Sequence, residues 1–299
     1  MSLKIVRAED RIEVKNLVIA LYAQPGIGKT TMAFTADSAI LLDFDRGAYR
    51  AANRGDSVQV ESWSDVTSIE ASDLAPYKTV VVDTAGRALD FLTVDITKKN
   101  AKHGNGGALT LQGYGVLKSQ FTAWLTTMKL MGKDVVLIAH SSEDKKGDDI
   151  IERLDVQGGS KSEIYKSADA MGRLYLVNGK RTLSFSPTDT AFGKNPGCLE
   201  ALKVPDVATE PRFLAGVIQS IKDKLNAMSE DQLKRQSQIA DWMTVLAEAK
   251  EPEHFNQLVG DVKTADKTLA PILKGALHRA ATEAGMTFDK AKAEYVRAA

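Results

Sequence analysis

The chain has 299 residues, of which 43% are hydrophobic and 26% are charged, the usual composition of one large or two ordinary globular domains. Its 39 basic and 39 acidic residues cancel, so binding to nucleic acid would require a local basic patch. No apolar run approaches the roughly 20 residues of a membrane span, and the charged start MSLKIVRAEDRIEV is unlike a signal peptide. With a single cysteine, Cys198, these features predict a cytoplasmic protein without a disulfide or membrane association.

Apolar runs alternate with helical stretches over about the first 200 residues. Four near-continuous runs, at 17–22, 39–42, 79–82 and 135–139, predict parallel strands that are buried on both faces. Further on, two alternating runs flank Asn178-Gly179, a dipeptide typical of a tight β-hairpin. We therefore predict an α/β fold with a mostly parallel sheet and an antiparallel hairpin extension.

The sequence changes character after about Pro205. From residue 213 onward no strand-like run occurs, and apolar residues recur at helical spacing. The pattern predicts two domains, an α/β domain over 1–204 and an all-α domain over 205–299. The alternative is that the tail covers the sheet instead of forming its own core. We expect that core to contain Trp242, Leu246, Phe255, Leu258 and Leu273.

A glycine-rich turn follows the first predicted strand. The segment AQPGIGKT, residues 23–30, lies between that strand and a helical stretch, which is the context of a phosphate-binding loop, or P-loop. In such a loop, backbone N–H groups face the phosphates, a lysine adds charge and a hydroxyl binds magnesium. The pattern predicts binding of ATP and Mg2+, with Thr30 as a metal ligand and Lys29 also acting in catalysis. The residues predicted to bind the nucleotide are Pro25, Gly26, Ile27, Gly28, Lys29, Thr30 and Thr31.

One position departs from the P-loop pattern, which opens with glycine where this chain has Ala23. If that position requires a positive φ, alanine costs about 1 kcal/mol. The alternative interpretation is a strand–turn–helix that matches the pattern by chance.

Polar side chains follow three of the predicted strands. Asp83 ends the third run and is predicted to assist magnesium binding, although it or Thr84 would also cap the next helix. Asp43 and Asp45 follow the second run, where Asp45 is predicted to polarise the water that attacks ATP and Asp43 to support it. A purely structural turn is the alternative for both. His140 follows the fourth run and is predicted to sense the γ-phosphate, unless it is structural.

Four segments, AQPGIGKTT, LLDFDRG, VVVDTAG and VLIAHSSED, occur in the order found in RecA-like ATPases. Over roughly residues 10–200 the chain resembles that family, most closely the phage-encoded Sak single-strand annealing proteins. The resemblance implies a RecA-like fold, ATP-dependent binding of single-stranded DNA in recombination by annealing or exchange, and assembly into a homo-oligomeric ring or filament. It matches Asp45 to a catalytic glutamate and His140 to a glutamine that couples the γ-phosphate to DNA. It also matches Lys194, in FGKNPG, to a lysine that reaches the nucleotide of a neighbouring subunit.

The resemblance also places a DNA-binding loop after the third segment. Residues 98–118 are rich in glycine and contain no acidic residue, and a tyrosine there would stack on a base. We predict DNA contacts by Lys98, Lys99, Lys102, Tyr114 and Lys118. The alternative is a mobile surface loop. By resemblance alone, the helical tail is expected to bind a phage or host single-strand-binding protein.

Two rival functions fit the same sequence. The first is a DNA-annealing module that uses ATP as a structural ligand without turnover, which an aspartate at position 45 favours. The second is a motor or loader ATPase that recruits a partner through its helical tail. An arginine finger would separate them, and the sequence offers no clear candidate.

Overall fold

The structure is a computed structural model that describes residues 5–7, 10–146, 149–156 and 160–298. The chain divides into two compact units, Val14–Leu225 and Asn226–Ala299, the second of which includes the N-terminal residues up to Glu13. None of the described helices is long and apolar enough to cross a membrane.

The elements are numbered in chain order. The described strands are β1 (Val18–Ala23), β2 (Ala39–Asp43), β3 (Ser57–Gln59), β4 (Thr79–Asp83), β5 (Gly104–Asn105), β6 (Ala108–Leu109), β7 (Asp134–Lys146), β8 (Asp149–Leu154), β9 (Ala170–Val177), β10 (Lys180–Ser184), β11 (Leu202–Lys203), β12 (Met286–Asp289) and β13 (Glu294–Arg297). The described helices are α1 (Lys29–Ala33), α2 (Trp63–Thr67), α3 (Ala85–Lys99), α4 (Leu111–Leu130), α5 (Ser160–Ser167), α6 (Phe213–Glu248), α7 (Pro252–Thr264) and α8 (Ala270–Glu283).

The larger unit is built on one mixed sheet. Strands β9, β1, β7, β4, β2 and β3 run parallel, in that order across the sheet. Strands β10 and β11 extend it antiparallel beyond β9, and β8 pairs antiparallel with the end of β7. At the β9–β10 turn, Asn178 and Gly179 have φ of 50° and 75°, the left-handed backbone that an Asn-Gly hairpin requires. The predicted mostly parallel sheet with an antiparallel hairpin extension is confirmed.

The register of the sheet collects polar residues at its carboxyl edge. Ala23, at the end of β1, lies beside His140 of β7. Asp43, at the end of β2, lies beside Asp83, at the end of β4. Residues that are far apart in the sequence therefore meet at the edge where parallel sheets bind ligands.

Buried apolar side chains cover both faces of the sheet. Along β1, Val18, Ala20 and Tyr22 face one side, which α3 and α4 cover, whereas Ile19 and Leu21 face the other, which α1 covers. Because both faces are covered, the central strands are apolar at nearly every position, which is the pattern that the sequence displays.

The first third of α6, up to Leu225, belongs to the larger unit. Its buried side chains are at most 7% exposed and pack on the same face of the sheet as α1; they are Phe213, Leu214, Val217, Ile218 and Ile221. The larger unit therefore ends at Leu225, inside a helix, and not at the predicted boundary of residue 204. The composition changes near Pro205 because the strands end there, whereas packing on the sheet continues along the helix.

The smaller unit contains the C-terminal helices and one hairpin. Its core includes the side chains that the sequence predicts, Trp242, Leu246, Phe255, Leu258 and Leu273. The prediction of an all-α tail is incomplete, because β12 and β13 form an antiparallel pair. Tyr295 of β13 packs on Phe255 with ring centroids 6.1 Å apart, so the hairpin is part of this core. Two four-residue strands rich in charge are too short to give a clear strand pattern.

The position of this boundary predicts how truncation affects folding. A chain that ends at Leu225 should keep the cooperative thermal unfolding of the larger unit, as followed by circular dichroism. A chain that ends at residue 204 loses five buried side chains of α6, each worth about 1.5–3 kcal/mol. Since a domain is stable by only about 5–15 kcal/mol, we expect the shorter chain to be unfolded or insoluble. A 1–204 fragment with a sharp unfolding transition would contradict this expectation.

Candidate nucleotide-binding site

The glycine-rich turn joins β1 to α1 as a P-loop does. Gly26 and Gly28 have φ of 78° and 97°, a backbone conformation that other residues rarely adopt. A Cβ added at Gly28 would also lie 2.9 Å from Nη1 of Arg181, so that guanidinium would have to shift. Ala23 is the last residue of β1 and does not have a positive φ. The alanine at the first position of the loop therefore costs nothing in backbone strain.

The Lys29 side chain is only 6% exposed and folds back over this loop. Its Nζ donates to the carbonyls of Ala23, at 3.0 Å, and Gln24, at 2.8 Å. Burial lowers the pKa of Lys29 to about 8, although Asp83 and Asp45 act in the opposite direction. A buried cation held mainly by carbonyl dipoles is a group that an anionic ligand would stabilise.

The lowered pKa of Lys29 predicts that nucleotide binding depends on pH. In the free protein Lys29 loses its proton near pH 8, and bound phosphates would raise that pKa, so binding above pH 8 takes up a proton. Affinity for ATP should be fully present below pH 8 and fall by up to about tenfold per pH unit above it. Isothermal titration calorimetry in buffers of different ionisation enthalpy measures both the affinity and the proton uptake. An affinity that stays constant up to about pH 10, near the ordinary lysine pKa, would contradict the prediction.

Thr30 and Asp83 form a pair suited to magnesium. Thr30 Oγ1 donates to Asp83 Oδ2 at 2.6 Å, which leaves the hydroxyl lone pairs free for a cation. Burial, opposed by the hydrogen bond from Thr30, raises the pKa of Asp83, so a nearby cation would stabilise its charged form. Among the described residues, no group of three acidic, histidine or cysteine side chains would hold a metal ion alone. The pair fits Mg2+, which proteins usually bind through few side chains together with the phosphates of a substrate.

The two carboxylates that follow β2 have different environments. Asp43 is 1% exposed and accepts the backbone N–H groups of Gly47 and Ala48, each at 2.9 Å. It therefore holds the turn, which is the structural alternative considered for it. Asp45 is partly exposed, and its Oδ1 lies 3.3 Å from Nε of Arg87 on α3. The structure thus places Asp45, and not Asp43, in position to meet a ligand.

Two adjoining cavities open at this edge of the sheet. The P-loop cavity has a volume of about 410 Å³, within the usual range for a small-molecule site, and is lined by Pro25, Gly26, Gly28, Lys29, Thr30, Thr31, Asp45, Gly47, Arg50, Ala51, Asp83 and His140. The outer cavity, of about 430 Å³, is lined by Asp45, Arg50, Thr84, Gly86, Arg87, Asp90, His140, Asp155 and Val156. Asp45, Arg50 and His140 line both and therefore stand at the junction. Of the predicted P-loop residues, only Ile27 does not line the P-loop cavity, since it packs towards the core.

His140 lies at this junction and contacts the P-loop lysine. Its Nδ1 is 3.3 Å from Lys29 Nζ. Burial, with a smaller effect from Lys29, lowers the pKa of His140, so the ring is neutral at neutral pH. Because an ammonium group only donates, Nδ1 accepts and the ring proton is on Nε2. The structure therefore brings His140 to the site with a defined donor and acceptor.

Lys194 is not brought to the site of its own chain. Its Nζ donates to the Ala168 carbonyl at 2.6 Å, just before β9 begins, and it lines neither cavity. Its contact with the nucleotide of a neighbouring subunit stays a prediction.

The predicted DNA-binding residues occupy helices and turns, not one mobile loop. Lys98 and Lys99 end α3, Lys102 lies in the turn Ala101–His103, and Tyr114 and Lys118 lie on α4. Lys99 pairs with Asp95 at 2.8 Å and Lys118 with Glu163 at 3.4 Å, so part of the positive charge is balanced. Tyr114 is partly buried against the core. DNA contact by these residues stays a prediction.

Three arginines near the P-loop lie in no recognisable motif. Arg50 lines both cavities, Arg87 pairs with Asp45, and Arg181 lies against Gly28. Arg50 and Arg87 follow the segments LLDFDRG and VVVDTAG closely, but neither segment's pattern includes an arginine at that position.

Residues 15–196 match the family profile AAA_24, which is described as an AAA domain. The chain belongs to this AAA-domain family. The match spans the P-loop, Asp45, Asp83 and His140, and with the mostly parallel sheet described above it confirms the predicted α/β P-loop fold.

Other similarities cover parts of the chain. The SPbeta prophage-derived uncharacterized protein YorG of Bacillus subtilis (strain 168) is 26% identical over 166 residues, which is 49% of this chain and 49% of that protein. The chain thus matches about half the length of that relative. The KaiC-like protein PH0186 of Pyrococcus horikoshii OT3 is 13% identical, with a TM-score of 0.35 over 65% of this chain and 99% of the other. An ATPase from the type III secretion system of pathogenic bacteria is 11% identical, with a TM-score of 0.35 over 54% of this chain and 52% of the other.

Proposed function

We propose that the AAA-domain chain binds ATP with Mg2+, hydrolyses it slowly, and links nucleotide binding to single-stranded DNA in recombination of phage type. The observation that carries the proposal is the convergence of Lys29, the Thr30–Asp83 pair and Asp45 in one cavity of about 410 Å³. A phosphate cradle, a metal-binding hydroxyl with its carboxylate, and a carboxylate for water are the parts that phosphoryl transfer requires.

Each residue then has a defined task. Lys29 and the backbone N–H groups of the loop bind the β- and γ-phosphates, while His140 keeps the lysine in place. Thr30 and Asp83 would hold a magnesium ion, which would supply positive charge next to the phosphates. Asp45 orients a water molecule, whose oxygen forms a bond to the γ-phosphorus as the bond to the bridging oxygen breaks, and accepts its proton. The products are ADP and inorganic phosphate.

The recombination role is supported by the order of the sequence motifs and by a relative that is described as prophage-derived. We further propose a cytoplasmic location in the host and a homo-oligomeric ring or filament. A single-strand-binding protein is the proposed partner of the C-terminal unit. The DNA contacts are assigned to Lys98, Lys99, Lys102, Tyr114 and Lys118.

One observation favours a second candidate function, annealing of DNA with ATP as a structural ligand. Asp45 Oδ1 lies 3.3 Å from Nε of Arg87, and a carboxylate oxygen that is engaged in an ion pair is not free to orient the attacking water. In that case ATP binding would support DNA binding without measurable release of phosphate.

Two measurements test both functions: filter binding of labelled single-stranded DNA with and without ATP, and release of phosphate from radiolabelled ATP. We expect single-stranded DNA to be bound only with nucleotide, and phosphate release to rise several-fold with single-stranded but not with double-stranded DNA. Nucleotide-dependent DNA binding without phosphate release would favour the structural-ligand function. If no DNA is bound under any condition, the recombination role is wrong, while ATP binding stands on its own measurement.

The salt dependence of DNA binding tests the assigned surface. Replacing Lys98, Lys99 and Lys102 by alanine should lower the slope of log affinity against log salt concentration by about two, at roughly 0.7 per phosphate contact. A matched control removes three exposed lysines elsewhere on the chain and should leave the slope unchanged: Lys180, Lys203 and Lys224. Equal slopes for the two triple variants would reject this DNA surface.

A further inference from the structure

We propose that Arg50 is a catalytic residue that contacts the terminal phosphate of the nucleotide, an arginine supplied by the same chain for phosphoryl transfer. The proposal rests on the proposed ATPase function and adds a residue to it. Arg50 ends the short 3-10 turn Ala48–Arg50, which follows the turn held by Asp43.

The position of Arg50 points to the terminal phosphate. Arg50 and Lys29 are the cationic side chains that line the P-loop cavity. Lys29 lies at the start of α1, and Arg50 lies at the junction with the outer cavity, beside Asp45 and His140. A triphosphate that begins at the P-loop and ends near the carboxylate for water therefore ends next to Arg50.

The charge of Arg50 has no counter-ion among the residues that the structure describes. Within the described parts of the chain, no carboxylate lies within 4.0 Å of its guanidinium, which lies 5.5 Å from the ring centroid of Tyr49. Arg87 differs, because it pairs with Asp45 at 3.3 Å and with Asp90 at 3.6 Å. Arg87 would have to break its ion pair with Asp45 before it could bind a phosphate, whereas Arg50 has no such ion pair to break.

The local backbone fixes where Arg50 lies. Asp43 accepts the N–H groups of Gly47 and Ala48, which ties the start of the 3-10 turn to the end of β2. The guanidinium lies against Gly47, where an added Cβ would collide with Nη2 of Arg50. Gly47 has an ordinary φ of −105°, so its backbone does not require glycine, and a side chain there would displace the Arg50 guanidinium. Asp45 and Arg50 thus lie on one short segment, whose backbone is fixed by the hydrogen bonds to Asp43, and both would face a bound nucleotide.

The chemistry of hydrolysis explains what this cation would contribute. As the water oxygen bonds to the γ-phosphorus and the bridging oxygen leaves with its electron pair, negative charge grows on the bridging oxygen and stays on the three γ-oxygens. A guanidinium presents several N–H donors in one plane and stabilises such charge better than a lysine ammonium does. Arginines in this position raise turnover by about 10³–10⁵.

The test compares Arg50→Ala and Arg50→Lys with the matched control Arg46→Ala. Arg46 belongs to the same segment, pairs with Glu61 at 3.3 Å and lines neither cavity. In Arg50→Ala we expect turnover to fall at least about 100-fold and the preference for a non-hydrolysable ATP analogue over ADP to fall about tenfold. Affinity for ADP and the melting temperature should stay at the parental values. Compared with Arg50→Ala, Arg50→Lys should have a preference for the triphosphate closer to that of the parent, but its turnover should stay low. Arg46→Ala should match the parent in both quantities.

The outcomes separate this proposal from the proposed function. If Arg50→Ala has the turnover and the triphosphate preference of the parent, the proposed role of Arg50 is wrong. The proposed ATPase function is not affected by that result. If the parent binds nucleotide but releases no phosphate, the triphosphate preference alone decides the matter, and a preference unaltered in Arg50→Ala overturns the proposal. If the parent binds no nucleotide, the proposed function and the role of Arg50 are both wrong.

Discussion

Replacing Lys29 with methionine should abolish tight ATP binding and leave the fold intact. Methionine fills the space of the buried lysine stem and removes the ammonium, which is the cation at the centre of the phosphate cradle. Each lost charged contact to phosphate costs at least about 1.5–3 kcal/mol, which corresponds to roughly a 10-fold to 150-fold weaker affinity. Calorimetric titration with ATP and a far-ultraviolet circular dichroism spectrum measure the two effects.

The same substitution should not destabilise the free protein. Burial lowers the pKa of Lys29 from 10.5 to about 8, so the folded chain binds this proton less tightly than the unfolded chain does. At neutral pH the buried charge therefore opposes folding by at most about 3 kcal/mol, an effect that disappears as the pH rises from about 8 to the ordinary lysine pKa. Loss of the hydrogen bonds to the Ala23 and Gln24 carbonyls offsets part of the gain. We expect the variant to be at least as stable as the parent near pH 7.

A second buried lysine provides the matched control. Lys133 is 8% exposed and lies just before β7, with its Nζ donating to the carbonyls of Leu74, at 2.7 Å, and Tyr77, at 2.6 Å. Lys133→Met should lower the melting temperature, because two carbonyls lose their donor, and should keep parental affinity for ATP. Parental affinity in Lys29→Met, with a native spectrum, would show that the glycine-rich turn is not a phosphate cradle.

The sequence predicts those features of the fold and the site that depend on short segments. The buried strands and the P-loop were visible because runs such as LVIALY and turns such as PGIGK are local patterns. The different roles of Asp43 and Asp45 were not, because they depend on which carboxylate accepts the backbone N–H groups of Gly47 and Ala48. That distinction requires the path of the turn in space.

Features that depend on contacts between distant segments could not be predicted. Arg181 of β10 lies against Gly28 because β10 pairs with β9, and β9 pairs with β1, the strand before the P-loop. No local sequence pattern predicts that β9 pairs with β1. The unit boundary inside α6 depends on which helix residues pack on the sheet, whereas the composition changes earlier, near Pro205. The composition of a segment indicates whether it forms helix or strand, but its packing determines to which unit it belongs.

Replacing Asp45 with asparagine should abolish turnover while ATP affinity stays within about threefold of the parent. Asparagine keeps the size of the side chain but cannot accept a proton from water, and general-base catalysis contributes about 10²–10⁴ in rate. Affinity should persist because Lys29, Thr30 and the loop backbone bind the phosphates, and a residue that acts only in the transition state lowers kcat without weakening the bound state. Single-turnover release of labelled phosphate and a separate binding titration measure the two quantities.

Asp43→Asn provides the contrast for this experiment, because Asp43 accepts two backbone N–H groups with its two oxygens and an amide has only one such acceptor. Asp43→Asn should therefore lower the melting temperature, whereas Asp45→Asn should not, since Asp45 contacts Arg87 at the surface of a cavity. If Asp45→Asn releases phosphate as fast as the parent, Asp45 is not the base. The Asp45–Arg87 pair would then be a structural ion pair, and nucleotide would act in this protein mainly through binding.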